Sequence, residues 1–293
     1  MNTLNVKIKH QAKRAFTLIE IMVATVIMVV LVGLVIQITS EVLKVWSRSS
    51  GKLSANAEAR VAMDIITQDL ETAVFRNNGK QWLRVEAPLD PGGPFTDQTV
   101  ALKLFSPALD RDQSVPGDIC AIGYELNFGP AYNGASDNVY ALYRKIVDPK
   151  TTFDNLMGSS GNVAQDSLVG GEWDNIVDAP NRSNYLAGNI LEFKVFLYVD
   201  DGTGTAQLLN ANATTQKLNG IDFAYGQNPS NPDTSIVEIT DNLLYADVLL
   251  TVISDEGLKL LQVVGKIPES AAEVVQQHGD TFTRRVNFMA HPL

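Results

Sequence analysis

One cysteine, Cys120, stands in 293 residues. An intramolecular disulfide is therefore excluded, and the fold must be held by its apolar core. With no base beside it in sequence, Cys120 reads as a small buried hydrophobe. Histidine is almost as scarce. His10, His278 and His291 lie far apart, with no H-E-x-x-H and no second ligand at metal spacing. No G-x-S-x-G elbow occurs, and Gly202-Thr203-Gly204 lacks the third glycine of a dinucleotide loop. Nothing in the sequence supports catalysis, and the chain reads as a non-enzyme without catalytic residues or cofactor. Proline is missing from Phe16 to Ala87, and Gly33 and Gly51 are the only glycines in that stretch before Gly79. A long helix can pass through such a stretch unbroken.

Charge is unevenly spread. The first 15 residues hold Lys7, Lys9, Lys13 and Arg14 and no acid; the rest holds 19 basic and 33 acidic residues, a net of about −14 in a chain of net −10. This split separates a basic targeting segment from an acidic body. An acidic body is a poor nucleic-acid partner, because binding needs basic surface to displace counterions.

What the sequence does have is one long apolar run. Ile21 to Ile36 reads IMVATVIMVVLVGLVI, interrupted only by Thr25 and Gly33. From Phe16 to Ile38 it is 23 residues, or about 34 Å as a helix, enough to cross a hydrocarbon core of about 30 Å. A secretory signal peptide would be shorter and followed by a small-residue cleavage site, which Gln37 to Glu41 does not provide. A buried core helix with 16 near-continuous aliphatics and no polar face would be unusual. An ordinary signal anchor remains the competitor, and Glu20 counts against it. A carboxylate one turn inside a membrane segment costs about 2.5–3.5 kcal/mol on insertion scales, and a plain anchor has no use for it. The basic residues before the run predict a cytoplasmic N-terminus and an exported body.

The residues Lys13-Arg14-Ala15-Phe16-Thr17-Leu18-Ile19-Glu20, followed by the apolar run, resemble the N-terminus of type IV prepilins. The resemblance implies cleavage between Ala15 and Phe16 by a prepilin peptidase, N-methylation of Phe16, and pairing of Glu20 with the N-terminal amine of a neighbouring subunit. Ala15 stands where the family has glycine, and a slower cut is expected there. The pairing agrees with elementary electrostatics, since two opposite charges in a low-dielectric bundle are each costly alone and tolerable together.

Beyond the span, Val42, Trp46, Leu53 and Ala57 are apolar, and Ala59, Ala62, Ile66, Leu70 and Ala73 repeat every three or four residues. Arg60, Asp64, Gln68, Asp69 and Glu71 are assigned to the opposite, polar side. Ser47-Arg48-Ser49-Ser50-Gly51 is the weakest point, where a bend or fraying is expected. After Gly79 the pattern turns to strands: Trp82–Ala87, Thr99–Ser106, Ile119–Leu126, Val139–Ile146, Ile190–Val199, Leu244–Ile253 and Thr281–Phe288. Turn-forming clusters separate them at 90–94, 127–137, 200–204 and 228–233. Short helices are expected from Asp255 to Val264 and from Glu269 to Gln277, with Gly279 ending the latter. Asp148 to Asn189 reads as an irregular surface insertion.

The expected architecture is α+β: a leader (1–15), a transmembrane helix (16–38), an amphipathic continuation (39–76) and a β-rich body (77–293), with the long helix packed on an antiparallel sheet. The body is loosely similar to J-type minor pseudopilins of type II secretion, in Ala59 to Ala73, Leu142-Tyr143-Arg144, Asp247 to Ile253 and Phe282 to Val286. The resemblance implies a minor pilin or pseudopilin subunit of a type IV pilus or a type II secretion pseudopilus, at the tip or in the initiation complex. It also implies an inner-membrane anchor, a periplasmic body, and other pilin subunits and a prepilin peptidase as partners. The alternative is a membrane-anchored periplasmic binding protein that uses a pilin-like export signal. Asp200 and Asp201, in an acidic Gly turn, are a weak calcium candidate that does not match the EF-hand pattern; a solvated hairpin turn is the plainer reading.

Overall fold

The structure is a computed structural model. It describes residues 16–75, 81–90, 92–93, 99–130, 135, 137–157, 168, 171–177, 182–211, 222–225, 236–239, 241–263 and 271–288. The chain divides into two compact units, 1–49 and 50–293. One helix, α1 (Leu18–Glu71), belongs to both. Residues 47–51 are helical, so the expected bend or fray at the serines and Gly51 is not a break in the helix. In the first unit every described residue is exposed.

In the second unit α1 buries Ala55, Ala59, Ala62, Met63, Ile66 and Leu70. The alanines let the helix backbone approach its neighbours closely, and the larger side chains then fill the core. The expected stripe of Ala59, Ala62, Ile66, Leu70 and Ala73 is buried at every position. Asp69 is buried as well, which corrects its placement on the polar side: steps of four, three and four from Ala62 pass through Ile66 and Asp69 to Ala73, so it lies on the inward face.

Two sheets make up the rest. The larger is β5-β4-β3-β2-β1-β8-β9 and the smaller β11-β10-β6-β7. The larger is built on the meander β1 (Leu83–Leu89), β2 (Thr99–Ser106), β3 (Cys120–Pro130) and β4 (Asn138–Val147), extended by β5 (Tyr185–Gly188), β8 (Asp222–Tyr225) and β9 (Ile236–Ile239). The smaller joins β6 (Ile190–Asp200), β7 (Ala206–Leu208), β10 (Leu243–Ile253) and β11 (Gly279–Asn287). The seven expected strands are present within a few residues, but they divide between two sheets. Four short strands, β5, β7, β8 and β9, were not expected. Pairing is antiparallel except between β8 and β9, which are parallel. β3 also runs on to Pro130, into the stretch expected to be a turn. The cluster at 228–233 lies outside the described residues.

The sheets face one another through β6, where the Thr99 hydroxyl donates to the Phe193 carbonyl at 2.8 Å. α3 (Asp255–Gln262) is capped by Ser254, whose hydroxyl accepts from Gly257 N–H. With α4 (Ala271–His278) it covers a smaller core of Tyr140, Leu191, Ile253, Leu258, Leu261 and Val274. α4 ends at His278, so Gly279 stops the helix as expected and in the same step opens β11.

β11 is an edge strand that tracks α1. The Asp280 carboxylate accepts from Asn56 at 2.7 Å and lies 3.1 Å from the Lys52 ammonium. The Arg60 guanidinium sits over the Phe282 ring, and Arg284 pairs with Asp64. Two residues of strand advance about 6.7 Å and four of helix about 6 Å, which keeps the two in step. These contacts are largely exposed, so they align the strand more than they stabilise it.

Asp148 to Asn189 is not the bare surface insertion the sequence suggested, as far as it is described. A helical turn, α2 (Pro149–Thr151), leads into a π-turn at Thr152–Leu156. Leu156, Leu168, Trp173 and Ile176 are buried in the main core. Trp173 lies on the bare backbone of Gly123 in β3, where an added Cβ would sit 2.7 Å from the ring. This explains a glycine inside a central strand. Gly123→Val should therefore lower stability by about 1–3 kcal/mol through overpacking and lift Trp173 into water. Urea unfolding of the solubilised chain, followed by Trp fluorescence, measures both; an unchanged midpoint would refute the contact.

Candidate functional site: the helix N-terminus

Thr17 and Glu20 form a closed cap at the start of α1. The Thr17 N–H and hydroxyl donate to Glu20 Oε2 at 2.8 and 2.9 Å, and the Glu20 N–H donates to the Thr17 hydroxyl at 3.3 Å. This is the reciprocal capping box, a Thr with a Glu three residues on. The spacing Thr17-Leu18-Ile19-Glu20 carried that signal in the sequence, and its role as a cap went unread there. The carboxylate thus satisfies helix-end donors that a bilayer would otherwise leave bare. Further along, the Thr25 hydroxyl donates to the Met22 carbonyl and the Thr39 hydroxyl to the Val35 carbonyl. The hydroxyls of Thr25 and Thr39 are therefore not left as unpaired donors on this apolar helix.

Glu20 is the only formally charged residue from Phe16 to Ser40. Its neighbours are apolar or uncharged: Phe16, Ile21, Ala24, Thr25 and Met28 line one shallow face with it. Phe16 is 80 % exposed and Leu18 77 %. The helix is long and apolar enough to cross a membrane, at a mean hydropathy of 2.9 over its best window. Ala15, expected before the cleavage point, and Lys7, Lys9, Lys13 and Arg14, expected as leader charges, lie outside the described residues.

A second polar constellation sits in the body. Asp69 of α1, Tyr124 of β3 and Arg144 of β4 are buried together. Arg144 donates from Nε to Asp69 at 2.8 Å and from Nη2 at 3.1 Å, and Tyr124 donates its hydroxyl to the same carboxylate. Arg144 also reaches Asp110 at 2.6 Å. Burial and then the Asp69 charge push the Tyr124 phenol well above its ordinary value. Burial opposes ionisation of Asp110, but the Arg144 hydrogen bond and charge outweigh it and lower its pKa overall. Every strong donor and acceptor here has a partner within the cluster, so the arrangement clamps α1 to the sheet. Arg144 was noticed in the sequence only as part of a loose family likeness; Asp69 and Tyr124 were not connected to it.

The Cys120 thiol is pushed up to about 11, chiefly by burial, which suits a packing residue. Asp200 and Asp201 occupy the β6–β7 turn. Asp200 accepts from Gly202 and Gly204 N–H at 3.0 and 3.1 Å, and Asp201 from Thr203 N–H at 2.8 Å. The carboxylates shape their own hairpin turn. Among the described residues no group of three or more His, Cys, Asp or Glu side chains is placed to hold a metal ion.

Comparison with known proteins points to the same N-terminus. Residues 10–36 match the family of the prokaryotic N-terminal methylation motif. The N-terminus is therefore of the prepilin type. No curated protein matches the chain. Among solved structures, a type IV-like pilin from Thermus thermophilus is similar over 80 % of this chain and 95 % of its own, at 12 % identity and a TM-score of 0.34.

Proposed function

We propose that the chain is a pilin-type or pseudopilin-type subunit that assembles through α1. The observation that carries this reading is Glu20: one carboxylate, one turn into a helix that holds no other charge from Phe16 to Ser40. After cleavage at Ala15–Phe16 the amine of Phe16 becomes the N-terminus, and the Glu20 carboxylate of one subunit pairs with the amine of its neighbour. That pair fixes the axial stagger, because one offset alone brings the two charges together. The chain is held in the inner membrane with its N-terminus cytoplasmic and its body periplasmic, and prepilin peptidase processes it there.

Size supports a minor role at a tip or in an initiation complex. A subunit repeated through a filament must pack on every side, and 244 residues lie in the second unit here. The outward side of α1 supports helix contact above the membrane: Leu53 and Val61 are 72 % and 57 % exposed and point away from the buried alanines. The competing anchored binding protein would gain by losing Glu20, whereas a subunit would not.

Two measurements test the reading. With a prepilin peptidase present, intact mass should show a chain starting at methylated Phe16; retention of residues 1–15 would contradict the assignment. Mass spectrometry of sheared fibres should find this chain as a small fraction of the filament protein. Fibres made mainly of it would overturn the minor role.

A further inference from the structure

The chain cannot form an internal disulfide, yet the smaller sheet brings together two side chains of another oxidisable kind. Tyr198 of β6 and Tyr245 of β10 stand directly opposite each other, 47 residues apart in sequence. The ladder is irregular between Leu243 and Tyr245, and such a bulge re-aims the side chains next to it. The two rings are stacked, with centroids 4.5 Å apart and planes inclined by 26°, at the short end of the range for aromatic pairs. The Arg285 guanidinium lies 3.9 Å from the Tyr245 centroid and is itself fixed to Asp247 by two bonds of 2.7 and 2.8 Å. Both tyrosines are half-buried, so solvent reaches them. Tyr124, Tyr140, Tyr143 and Tyr225 are buried. Tyr185 is half-buried, but it meets the buried Tyr143 edge-on, at 6.3 Å. Among the described residues, Tyr198 and Tyr245 are thus the stacked tyrosine pair with both rings open to a reagent.

We propose that Tyr198 and Tyr245 form an oxidative cross-linking site, where a carbon–carbon bond between the rings staples β6 to β10. The co-reactant is a peroxide-fed one-electron oxidant of the haem-peroxidase class. It takes one electron and one proton from each phenol, and hydrogen peroxide is reduced to two waters. The two phenoxyl radicals couple through ring carbons ortho to oxygen. Each coupled carbon then passes its hydrogen, as a proton, to its own ring's oxygen, and both rings are aromatic again. Burial, then the Asp247 charge, pushes the Tyr198 phenol above its ordinary value, so at neutral pH its electron leaves together with its proton. The chain between the two tyrosines holds β7 and also β8 and β9 of the larger sheet. The bond therefore closes a loop that passes through both sheets. It stabilises as a disulfide would, by removing chain entropy from the unfolded state. Nothing in the site depends on assembly through α1.

The solubilised full chain is treated with a haem peroxidase and limiting hydrogen peroxide, digested, and read by mass spectrometry. A linked peptide pair is expected that joins Tyr198 to Tyr245 and is lighter than its two parts by two hydrogens, in protein that still runs as a monomer. Tyr198→Phe and Tyr245→Phe keep the stacked rings and should each abolish the fluorescence of coupled tyrosine within the monomer. Urea should unfold the linked chain at a higher concentration than the untreated chain. Links confined to other tyrosines, or to tyrosines of separate molecules, overturn the site. So does monomer fluorescence that survives either substitution, or no coupling in the chain while free tyrosine in the same mixture is coupled. An unchanged urea midpoint in the linked chain overturns its role as a staple.

Discussion

Replacing Glu20 by Leu is expected to leave membrane insertion intact, or to improve it, and to reduce incorporation into sheared fibres about tenfold or more. Insertion improves because the cost of placing a carboxylate in lipid, about 2.5–3.5 kcal/mol at a span's centre and less near its end, disappears. Incorporation falls because the neighbouring Phe16 amine then enters a low-dielectric bundle without a counter-charge. A tenfold loss needs only about 1.4 kcal/mol per subunit, well within the cost of an unpaired charge. The capping box adds a distinction. Glu20→Gln keeps a side chain that can cap the helix but removes the charge. If capping were the whole role of Glu20, the Gln chain would assemble normally. If the charge pair sets assembly, Gln and Leu fail alike. Membrane fractionation and a shear-fraction blot of the three chains separate these outcomes, and undiminished incorporation of the Leu chain would sink the assembly reading.

The second large effect is expected at the buried cluster. Asp69→Leu leaves Arg144 inside the body with only Asp110 as its ionic partner, and the Asp110 side chain is 59 % exposed. Removing one member of a buried pair typically costs about 3–5 kcal/mol, because the remaining charge stays desolvated. Arg144→Leu should cost a similar amount by stranding Asp69. Replacing both by Leu, with Tyr124→Phe so that no hydroxyl is left unpaired, should recover most of the loss. Urea unfolding of the solubilised single, double and triple variants tests this. Additive losses, with no recovery in the triple variant, would mean that the three side chains act separately. Acid should also loosen the clamp. Asp110 has a lowered folded pKa, so its contribution is present above the ordinary carboxylate pKa and is lost as pH falls through the folded value. Its exposure keeps that contribution small.

The N-terminus was legible in the sequence because a bilayer imposes a one-dimensional rule. Every position of a segment suited to lipid must be apolar regardless of what the body does, so from Phe16 to Ile38 the one charge, at Glu20, stands out against a uniform background. The cap with Thr17 is equally local, three residues apart on one helical turn. The main strands were also legible, since β2, β6 and β10 are long β-branched and aromatic runs with few competing readings. Short β5, β7, β8 and β9 were not: three or four residues carry too little periodicity, and they exist because a neighbouring strand offers an unpaired edge.

Sequence by itself determined that the first 15 residues are basic, that a helix long and apolar enough to cross a membrane follows with one carboxylate inside it, and that the rest is acidic, β-rich and without an intramolecular disulfide. Those properties follow from composition and from spacing along a single element. Only the tertiary structure decided that the strands divide between two sheets, that Trp173 closes over Gly123, and that Asp69 turns inward to Tyr124 and Arg144. The physical reason is distance along the chain. Asp69 and Arg144 are 75 residues apart, and a carboxylate on a helix reads as solvent-facing until its partner is known. The fold supplies that partner from another strand, and the same side chain becomes part of the core.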